Sequence, residues 1–377
     1  MATAVLVASV VGAVGSSTPS GAAHNKAKGH VSTAAGVKHA KAELTKYEKI
    51  PKFVAPGPAF NVSGASGKTI YSIPVSSTIL FEKTLETASK SVASKYGINW
   101  VNWVNQGKPT QWVQGMNQAV AQHASLITLF GGANPAALQP QITQAKTAGI
   151  PVITGHFYDN GTKSFPSYLA GSSNAGFNQA ARLDADWIIS HTHGKGQVIG
   201  VESSDLGPPA TAGIDGMKRE FAKYCPKCQV RYIDIPFTTW AKDITPEVQA
   251  ALAQNPKVTY VLGAYDSMST DIEAAIRAAG DTGKIHIATY NGDPPYMKQI
   301  AQNDAVQMEV GEDPEWLAYD DVDLAMRIMT GQPAVVAHGV LRVFDAKNIK
   351  QAGTPPTLSG GYGTAYVKGF TSLWKKS

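Results

Sequence analysis

The chain has 377 residues, of which 43% are hydrophobic and 16% charged, a composition that excludes an intrinsically disordered protein. The formal net charge is +5, but residues 1–50 carry six lysines and two glutamates, so the remainder holds a net charge of only about +1. A body this close to neutral lacks the basic surface that nucleic-acid binding requires, and nucleic acid is not an expected partner.

The first 65 residues are predicted to be an export leader followed by a flexible linker. Ala4–Val14 is an apolar run that is too short to span a bilayer, and small and polar residues follow it, as in a secretory signal. Residues 24–65 are rich in Ala, Lys, Gly, Ser and Pro, with one short helix predicted near 36–49. We therefore expect an exported protein, periplasmic or associated with the cell surface.

From Lys68 onward, strand and helix patterns alternate in two successive runs. The first run contains predicted strands at 69–75, 98–104, 125–132, 150–157 and 168–173, and helices at 78–97, 109–123 and 135–149. The second run contains predicted strands at 197–203, 230–236, 259–266, 285–292 and 305–312, and helices at 174–192, 210–224, 243–254, 269–279, 294–302 and 315–330. This alternation predicts an α/β fold with two Rossmann-like lobes, each built on a parallel sheet covered by helices.

Ligands of open parallel sheets bind beyond the carboxyl ends of the strands. Two lobes that face each other would bring those ends around one cleft. The segments at the exits of the predicted strands are therefore the candidates for a binding site, namely 75–81, 130–134, 155–159, 203–211, 237–240, 264–267, 290–293 and 311–316.

Cys225 and Cys228 are the only cysteines and form a C-x-x-C sequence. Such a pair can be a thiol redox centre, half of a zinc site or a small disulfide. A zinc site needs two further ligands, and neither a second pair nor a histidine couple lies nearby. Export favours the disulfide.

Other motifs do not support catalysis or metal binding. GASGKT (64–69) lacks the first glycine of a phosphate-binding loop and precedes a strand instead of following one. No G-x-S-x-G nucleophile motif is present. His191 and His193 lie in a predicted loop without a third ligand, and Asp320–Asp321 is predicted to face solvent on a helix. We therefore expect no enzyme activity, no metal and no cofactor.

Several segments resemble the ribose-binding-like (type I periplasmic sugar-binding) family of ABC importer components. They are AGIPVIT (148–154), AGSSNAGFNQAARLDADWI (170–188), NPKVTYVLGAYDSMSTDIEAAIRAAG (255–280) and IHIATYNGDPPYMKQIAQND (285–304). The resemblance implies two lobes joined by a three-segment hinge. The implied bounds are 66–173 plus 313–342 for the first lobe, 174–312 plus 343–370 for the second, hinge crossings near 172–174, 312–313 and 342–344, and a tail at 371–377.

The same resemblance indicates which positions should contact the ligand, but the residues at these positions differ in chemistry from those of sugar-binding members. Where sugar-binding members have Asp-Arg after the fourth strand, this chain has His156 and Phe157, and the usual Asn-Asp is Tyr265–Asp266. Asp266 is expected to cap the next helix. The predicted ligand-binding residues have lost charge and gained aromatic surface: Phe81, Phe130, His156, Phe157, Trp240, Tyr265, Asn291 and Trp316.

The resemblance implies a monomeric solute-binding protein that delivers its ligand to an ABC permease in the membrane. The family favours a small sugar or polyol, whereas the aromatic residues favour a less polar ring compound. Presentation of the ligand to a receptor kinase is a second possible role. A thiol redox enzyme is a third, and it requires reactive thiols at Cys225 and Cys228.

Overall fold

The computed structural model describes residues 31–376, and the predicted apolar leader run lies outside them. The helices are α1 Thr33–Tyr47, α2 Leu80–Ser94, α3 Pro109–Ala121, α4 Gln139–Thr147, α5 Phe177–His191, α6 Pro208–Tyr224, α7 Trp240–Gln254, α8 Ser269–Ala278, α9 Pro294–Gln302, α10 Pro314–Met329 and α11 Ala365–Leu373. The strands are β1 Phe60–Asn61, β2 Thr69–Pro74, β3 Asn99–Asn102, β4 Leu126–Phe130, β5 Val152–Asp159, β6 Gly171–Ala175, β7 Gln197–Glu202, β8 Gln229–Asp234, β9 Tyr260–Gly263, β10 His286–Asn291, β11 Val306–Glu312, β12 Leu341–Asp345 and β13 Trp374–Lys375.

Two separate sheets form the centres of two lobes. The first lobe contains a five-stranded sheet in the order β3-β2-β4-β5-β6, and all its neighbouring strands are parallel. The second lobe contains a six-stranded sheet in the order β12-β11-β10-β9-β7-β8, in which only the edge strand β12 is antiparallel to its neighbour. The predicted fold class is confirmed.

Hydrophobic patterning explains why these segments form a helix-covered sheet. The strand β4 reads LITLF and is buried along its whole length, as expected for a central strand covered on both faces. Helix α2 buries Phe81, Leu85, Ala88 and Val92, which recur every three or four residues along one face. The strands are therefore enclosed between helices, and their carboxyl ends are left to form the site.

The chain changes sheet close to the three crossings that the resemblance implies. It leaves the first sheet after Ala175 and leaves the second sheet after Glu312. Helix α10 then packs on α2 of the first lobe, and the chain joins the second sheet again at Leu341. The exact lobe bounds stay a prediction.

Residues 31–65 differ from the expected flexible linker, because they lie against the body of the protein. Helix α1 buries Gly36, Ala40 and Leu44 and packs on α5 and α6. A side chain at Gly36 would overlap the Tyr224 carbonyl, so glycine permits this close approach. Composition alone suggested a linker, whereas a sparse apolar stripe was enough to dock the helix.

The predicted tail also lies in the structure. Strand β13 pairs in parallel with β1, with Phe60 beside Trp374. The Trp374 indole is buried, and its Nε1 donates a hydrogen bond to Asp323 Oδ1 at 2.6 Å. This pairing joins segments more than 300 residues apart, and local sequence patterns contain no signal for it.

Two further predictions have clear outcomes. Cys225 and Cys228 form a disulfide with an S–S distance of 2.00 Å, between α6 and β8, which confirms the predicted pairing. The solvent-facing position predicted for Asp320–Asp321 is wrong: the two residues are only 4% and 1% exposed, because α10 is enclosed on nearly all sides.

Within residues 31–376, no helix combines the length and the apolar character needed to cross a bilayer.

Candidate functional site

A cavity lies between the carboxyl ends of the two sheets, and we call it the interlobe cavity. Its lining residues are Val75, Ile79, Phe81, Glu82, Gly131, His156, Phe177, Leu206, Pro209, Trp240, Tyr265 and Asn291. All but Glu82 and Phe177 belong to the segments that the sequence placed just beyond strand ends. The switch-point argument therefore located this cavity correctly.

Five of the eight predicted ligand-binding residues line the interlobe cavity: Phe81, His156, Trp240, Tyr265 and Asn291. They come from both lobes, so the structure brings together residues up to 210 positions apart in the sequence. Their contact with a ligand stays a prediction.

The other three predicted residues lie elsewhere. Phe130 is buried beneath the cavity in a cluster with Phe81 and Leu317, and Phe157 is buried with its ring edge-on to Tyr158. Trp316 lines a different pocket with Lys52 and Asp320, and its ring stacks on Tyr366 at 4.7 Å. These three aromatic side chains are packing residues in this arrangement of the lobes.

His156 connects the two lobes through an ion pair. Its Nε2 lies 2.6 Å from Glu312 Oε2, and both side chains are buried. Burial lowers the pKa of His156, but the charges of Glu312 and Glu82 outweigh this effect and raise the pKa overall. The raised pKa favours the protonated imidazole, which pairs with Glu312 and holds the end of β5 against the end of β11.

Unusual backbone conformations occur at two of the predicted site residues. Among residues 31–376, five non-glycine residues have positive φ, and they include His156 at 52° and Asn291 at 144°. Positive φ is costly for a residue with a side chain, and such strain is concentrated at functional sites. The adjacent Gly292 donates its N–H to Glu309 Oε1 at 2.6 Å, which holds the turn that directs Asn291.

Glu82 is a lining residue that the sequence analysis missed. It is 4% exposed, and its Oε2 has no hydrogen-bond partner among the described residues. Burial raises its pKa to about 7, although the nearby His156 opposes the shift. Gly131 accommodates it, because any side chain at that position would overlap the Glu82 carboxylate. The available signal was an acidic residue inside the apolar stripe of α2, between Phe81 and Leu85.

Aromatic rings line the same cavity as this carboxylate. His156 contacts Phe81 at 5.1 Å and Phe177 at 4.8 Å between ring centroids. From the second lobe, Tyr265 stacks with Trp240 at 6.0 Å. Phe177, the first residue of α5, was also missed, because it follows the hinge strand and not a strand exit within one lobe.

A buried acidic group lies next to the cavity in the second lobe. Asp266 does not cap the following helix as expected; its Oδ2 accepts the Asp293 N–H at 2.9 Å instead. Both carboxylate oxygens of Asp293 lack a partner among the described residues, and burial together with Asp266 raises the pKa of Asp293 to about 9. The helix-capping prediction for Asp266 is wrong because the strand ends of β9 and β10 are close enough to bond each other.

Two features lie beside the interlobe cavity. A second, mainly apolar cavity shares Phe177, Pro209 and Tyr265 with it. At the edge of the lobes, the Phe237 ring of the second lobe occupies the space above Gly107 of the first, and a side chain at 107 would overlap it. The two lobes therefore meet in direct contact around the cavity.

One cluster within residues 31–376 has ligand atoms close enough for a metal: His39, Asp186 and Glu220 lie within 4.8 Å of one another. Glu220 accepts hydrogen bonds from His39 Nε2 at 2.8 Å and from Arg182 Nε at 2.6 Å. The Arg182 guanidinium already neutralises this carboxylate, so the cluster is accounted for as a network that docks α1.

Residues 70–333 match the sequence family described as the periplasmic binding protein domain. A search of curated proteins finds no match.

Solved structures share the two-lobed fold at low sequence identity. An ABC transporter solute-binding protein from Agrobacterium vitis with bound allitol has a TM-score of 0.66 at 19% identity, covering 76% of this chain and 98% of that chain. The periplasmic component of the arabinose ABC transporter from Shewanella sp. ANA-3, bound to L-arabinofuranose, has a TM-score of 0.66 at 22% identity, covering 75% and 93%. An ABC transporter solute-binding protein from Bacillus halodurans with bound myo-inositol has a TM-score of 0.66 at 14% identity, covering 77% and 99%. These likenesses confirm the type I two-lobed fold.

Proposed function

The chain belongs to the periplasmic binding protein family, and from this premise we propose that it binds a small sugar or polyol in the interlobe cavity for uptake by an ABC importer. The observation that carries the proposal is the cavity itself, which lies at the carboxyl ends of both sheets and is lined by residues of both lobes. A ligand bound there contacts both lobes at once and stabilises their closed arrangement.

The lining suits a ring that has both polar and apolar faces. Trp240 and Tyr265 offer aromatic faces on which the C–H face of a sugar ring can stack. Asn291 and the Tyr265 hydroxyl offer directional hydrogen bonds. The relatives with bound allitol, arabinofuranose and myo-inositol support a polyhydroxylated ligand.

The proposed function has no chemical step. The exported protein captures its ligand as a monomer, closes and docks on a membrane permease, where the ligand is released. Presentation to a receptor kinase would use the same binding event, and a less polar ring compound would use the same aromatic surfaces.

A thermal-shift screen over sugars, polyols and aromatic acids tests this proposal. A ligand that binds only the folded state raises the melting temperature in proportion to its affinity and concentration. We expect a sugar or polyol to give the largest shift. Failure of all these compounds to raise the melting temperature would contradict the proposal.

Matched tryptophan variants locate the binding site. Trp240 and Trp316 are both buried, but only Trp240 lines the interlobe cavity. Relative to each variant's own ligand-free melting temperature, Trp240→Phe and Asn291→Ala should reduce the shift, whereas Trp316→Phe should preserve it. Equal losses in Trp240→Phe and Trp316→Phe, or an intact shift in Asn291→Ala, would show that the ligand binds elsewhere.

A further inference from the structure

The interlobe cavity contains hydrogen-bond acceptors that have no donors. Glu82 Oε2 and Asn291 Oδ1 both lack a partner among the described residues, and both residues line the cavity. Beside them, Asp293 has two unpartnered oxygens, and it lies close enough to Glu82 for the two charges to interact. A buried acceptor without a donor costs free energy, and donors supplied by a ligand in this cavity would remove that cost.

Positive charge is scarce around these acceptors. Among the cavity-lining residues there is no lysine or arginine, and His156 is the only base. The His156 imidazole already pairs with Glu312, with 2.6 Å between Nε2 and Oε2. Glu82 therefore shares the nearby His156 with Glu312, and its ionised form is costly in this buried position unless a ligand supplies a further positive charge.

The rings around Glu82 are also suited to a cation. Phe81, Phe177, Trp240 and Tyr265 line the same cavity and approach it from both lobes. Aromatic faces attract ammonium groups through their quadrupoles, and a set of such faces with one carboxylate is a typical arrangement for binding substituted ammonium ions.

From these features we propose that the ligand of the interlobe cavity carries a protonated amine or quaternary ammonium group, which pairs with Glu82 inside the aromatic lining. The inference rests on the proposed binding function and narrows its ligand to amine-bearing sugars, polyols and related small alcohols. The unpartnered oxygen of Glu82 accepts from the ammonium group, while Asn291 accepts from a ligand hydroxyl.

Paired probes that differ in charge test the inference by titration calorimetry at pH 7.5. The pairs are glucosamine with N-acetylglucosamine and choline with its neutral isostere 3,3-dimethylbutanol. We expect the charged member of at least one pair to bind at least about tenfold more tightly, as for a charge-assisted hydrogen bond in a buried site. Equal or tighter binding by the neutral members would overturn the inference.

Glu82→Gln provides the matched variant, because it keeps the size of the side chain and one acceptor but removes the charge. We expect the substitution to weaken binding of the charged probe at least about tenfold and binding of the neutral probe less than about threefold. Circular dichroism and the ligand-free melting temperature establish that the variant is folded. A loss shared equally by both probes would assign Glu82 a structural role and overturn the inference.

The pH dependence gives a readout that packing alone would not change. The groups that face Glu82 are His156, Asp293, Glu86 and the Tyr265 phenol. Burial raises the pKa of Glu82 to about 7, so part of the population is protonated at neutral pH. Choline keeps its charge at every pH, and its binding should therefore release a proton and strengthen between pH 6 and 8. Choline affinity that stays flat across this range in the wild type, or rises equally in Glu82→Gln, would contradict the role of Glu82.

The outcomes separate this inference from the function on which it rests. If neutral sugars bind tightly and Glu82→Gln binds them equally well, the charge inference fails and the binding function stands. If neither the charged probes nor any compound of the thermal-shift screen binds, the proposed function fails with it.

Discussion

Two regions of the molecule bury carboxyl groups in different ways: helix α10 and the interlobe cavity. Burial raises the pKa of Asp321 on α10 and of Glu82 in the cavity to the same value, about 7. Asp321, however, accepts hydrogen bonds from Ser173 Oγ at 3.1 Å and Thr128 Oγ1 at 3.5 Å, while Glu82 Oε2 has no partner among the described residues. The shifted pKa is common to both carboxyl groups, and the unmet hydrogen-bonding capacity of Oε2 is what distinguishes Glu82 from Asp321.

The largest expected effect concerns a partnered carboxylate of α10. Asp323 accepts from Arg327 Nε at 2.7 Å and from Trp374 Nε1 at 2.6 Å, and all three side chains are buried. Asp323→Ala leaves the guanidinium buried without its counter-charge and should lower the free energy of unfolding by about 3–5 kcal/mol, measured by urea denaturation.

Asp323→Ala combined with Arg327→Met is the control, because it removes both charges. The double variant should be more stable than Asp323→Ala alone. If it is equally unstable, the lost packing of this region, and not the orphaned charge, explains the effect.

For each buried carboxyl group taken alone, a smaller effect of about 3 kcal/mol is expected from pH. Burial raises the folded-state pKa of Glu82 and Asp321 to about 7 and that of Glu86 to about 8, whereas unfolded carboxyls titrate near 4. Between these values the folded state binds more protons than the unfolded state. Stability is therefore fully present near pH 4.5 and should fall as pH rises toward 8, by about 1.4 kcal/mol per pH unit for each proton that unfolding releases.

Urea midpoints from pH 4.5 to 8.5 measure this profile. Glu82→Gln and Asp321→Asn should each flatten its upper part, since each removes one titrating group. Stability that rises steadily across this range would mean that the buried carboxyls are ionised in the folded protein, and the comparison between the two regions would lose its basis.

The smallest effect compares the two regions directly at pH 6, where both carboxyl groups are mostly protonated. Asp321→Asn disturbs existing bonds to Ser173 and Thr128 and should cost about 1 kcal/mol. Glu82→Gln disturbs no hydrogen bond at Oε2 and should change the stability of the ligand-free protein by less than about 0.5 kcal/mol. The difference between the two unfolding free energies is the measurement, and a Glu82→Gln cost equal to or above that of Asp321→Asn would contradict the distinction.

Much of the fold was predictable because the local hydrophobic patterns are those that a parallel sheet covered by helices requires. The run LITLF at 126–130 could only be a buried strand in this alternation, and the segments beyond strand ends included ten of the twelve residues that line the cavity. The antiparallel strand β12 and the pairing of β1 with β13 were not predicted. Both depend on partners distant in sequence, for which strand periodicity carries no signal.

Five of the eight predicted ligand-binding residues line the cavity, and the differences between the predicted set and the lining have a common cause. Trp316 and Phe130 were chosen because they lie at or near strand exits, but Trp316 is buried against Tyr366 and Phe130 is buried in a cluster with Phe81 and Leu317. Glu82 was missed because an acidic residue on a helix is usually solvated. In the structure the Glu82 carboxylate packs against Gly131, where the lack of a side chain leaves room for it.

The sequence by itself determined the order of strands and helices, the disulfide and the edge of each sheet where a ligand site would form, because hydrophobic periodicity and cysteine spacing are local properties. Only the tertiary structure decided which side chains face the cavity, which carboxyl groups have partners and where residues 31–65 lie. Those outcomes depend on contacts between segments that are distant in the sequence. Whether two atoms form a hydrogen bond or overlap depends on differences of a few tenths of an ångström, which are set only when the helices and strands pack together.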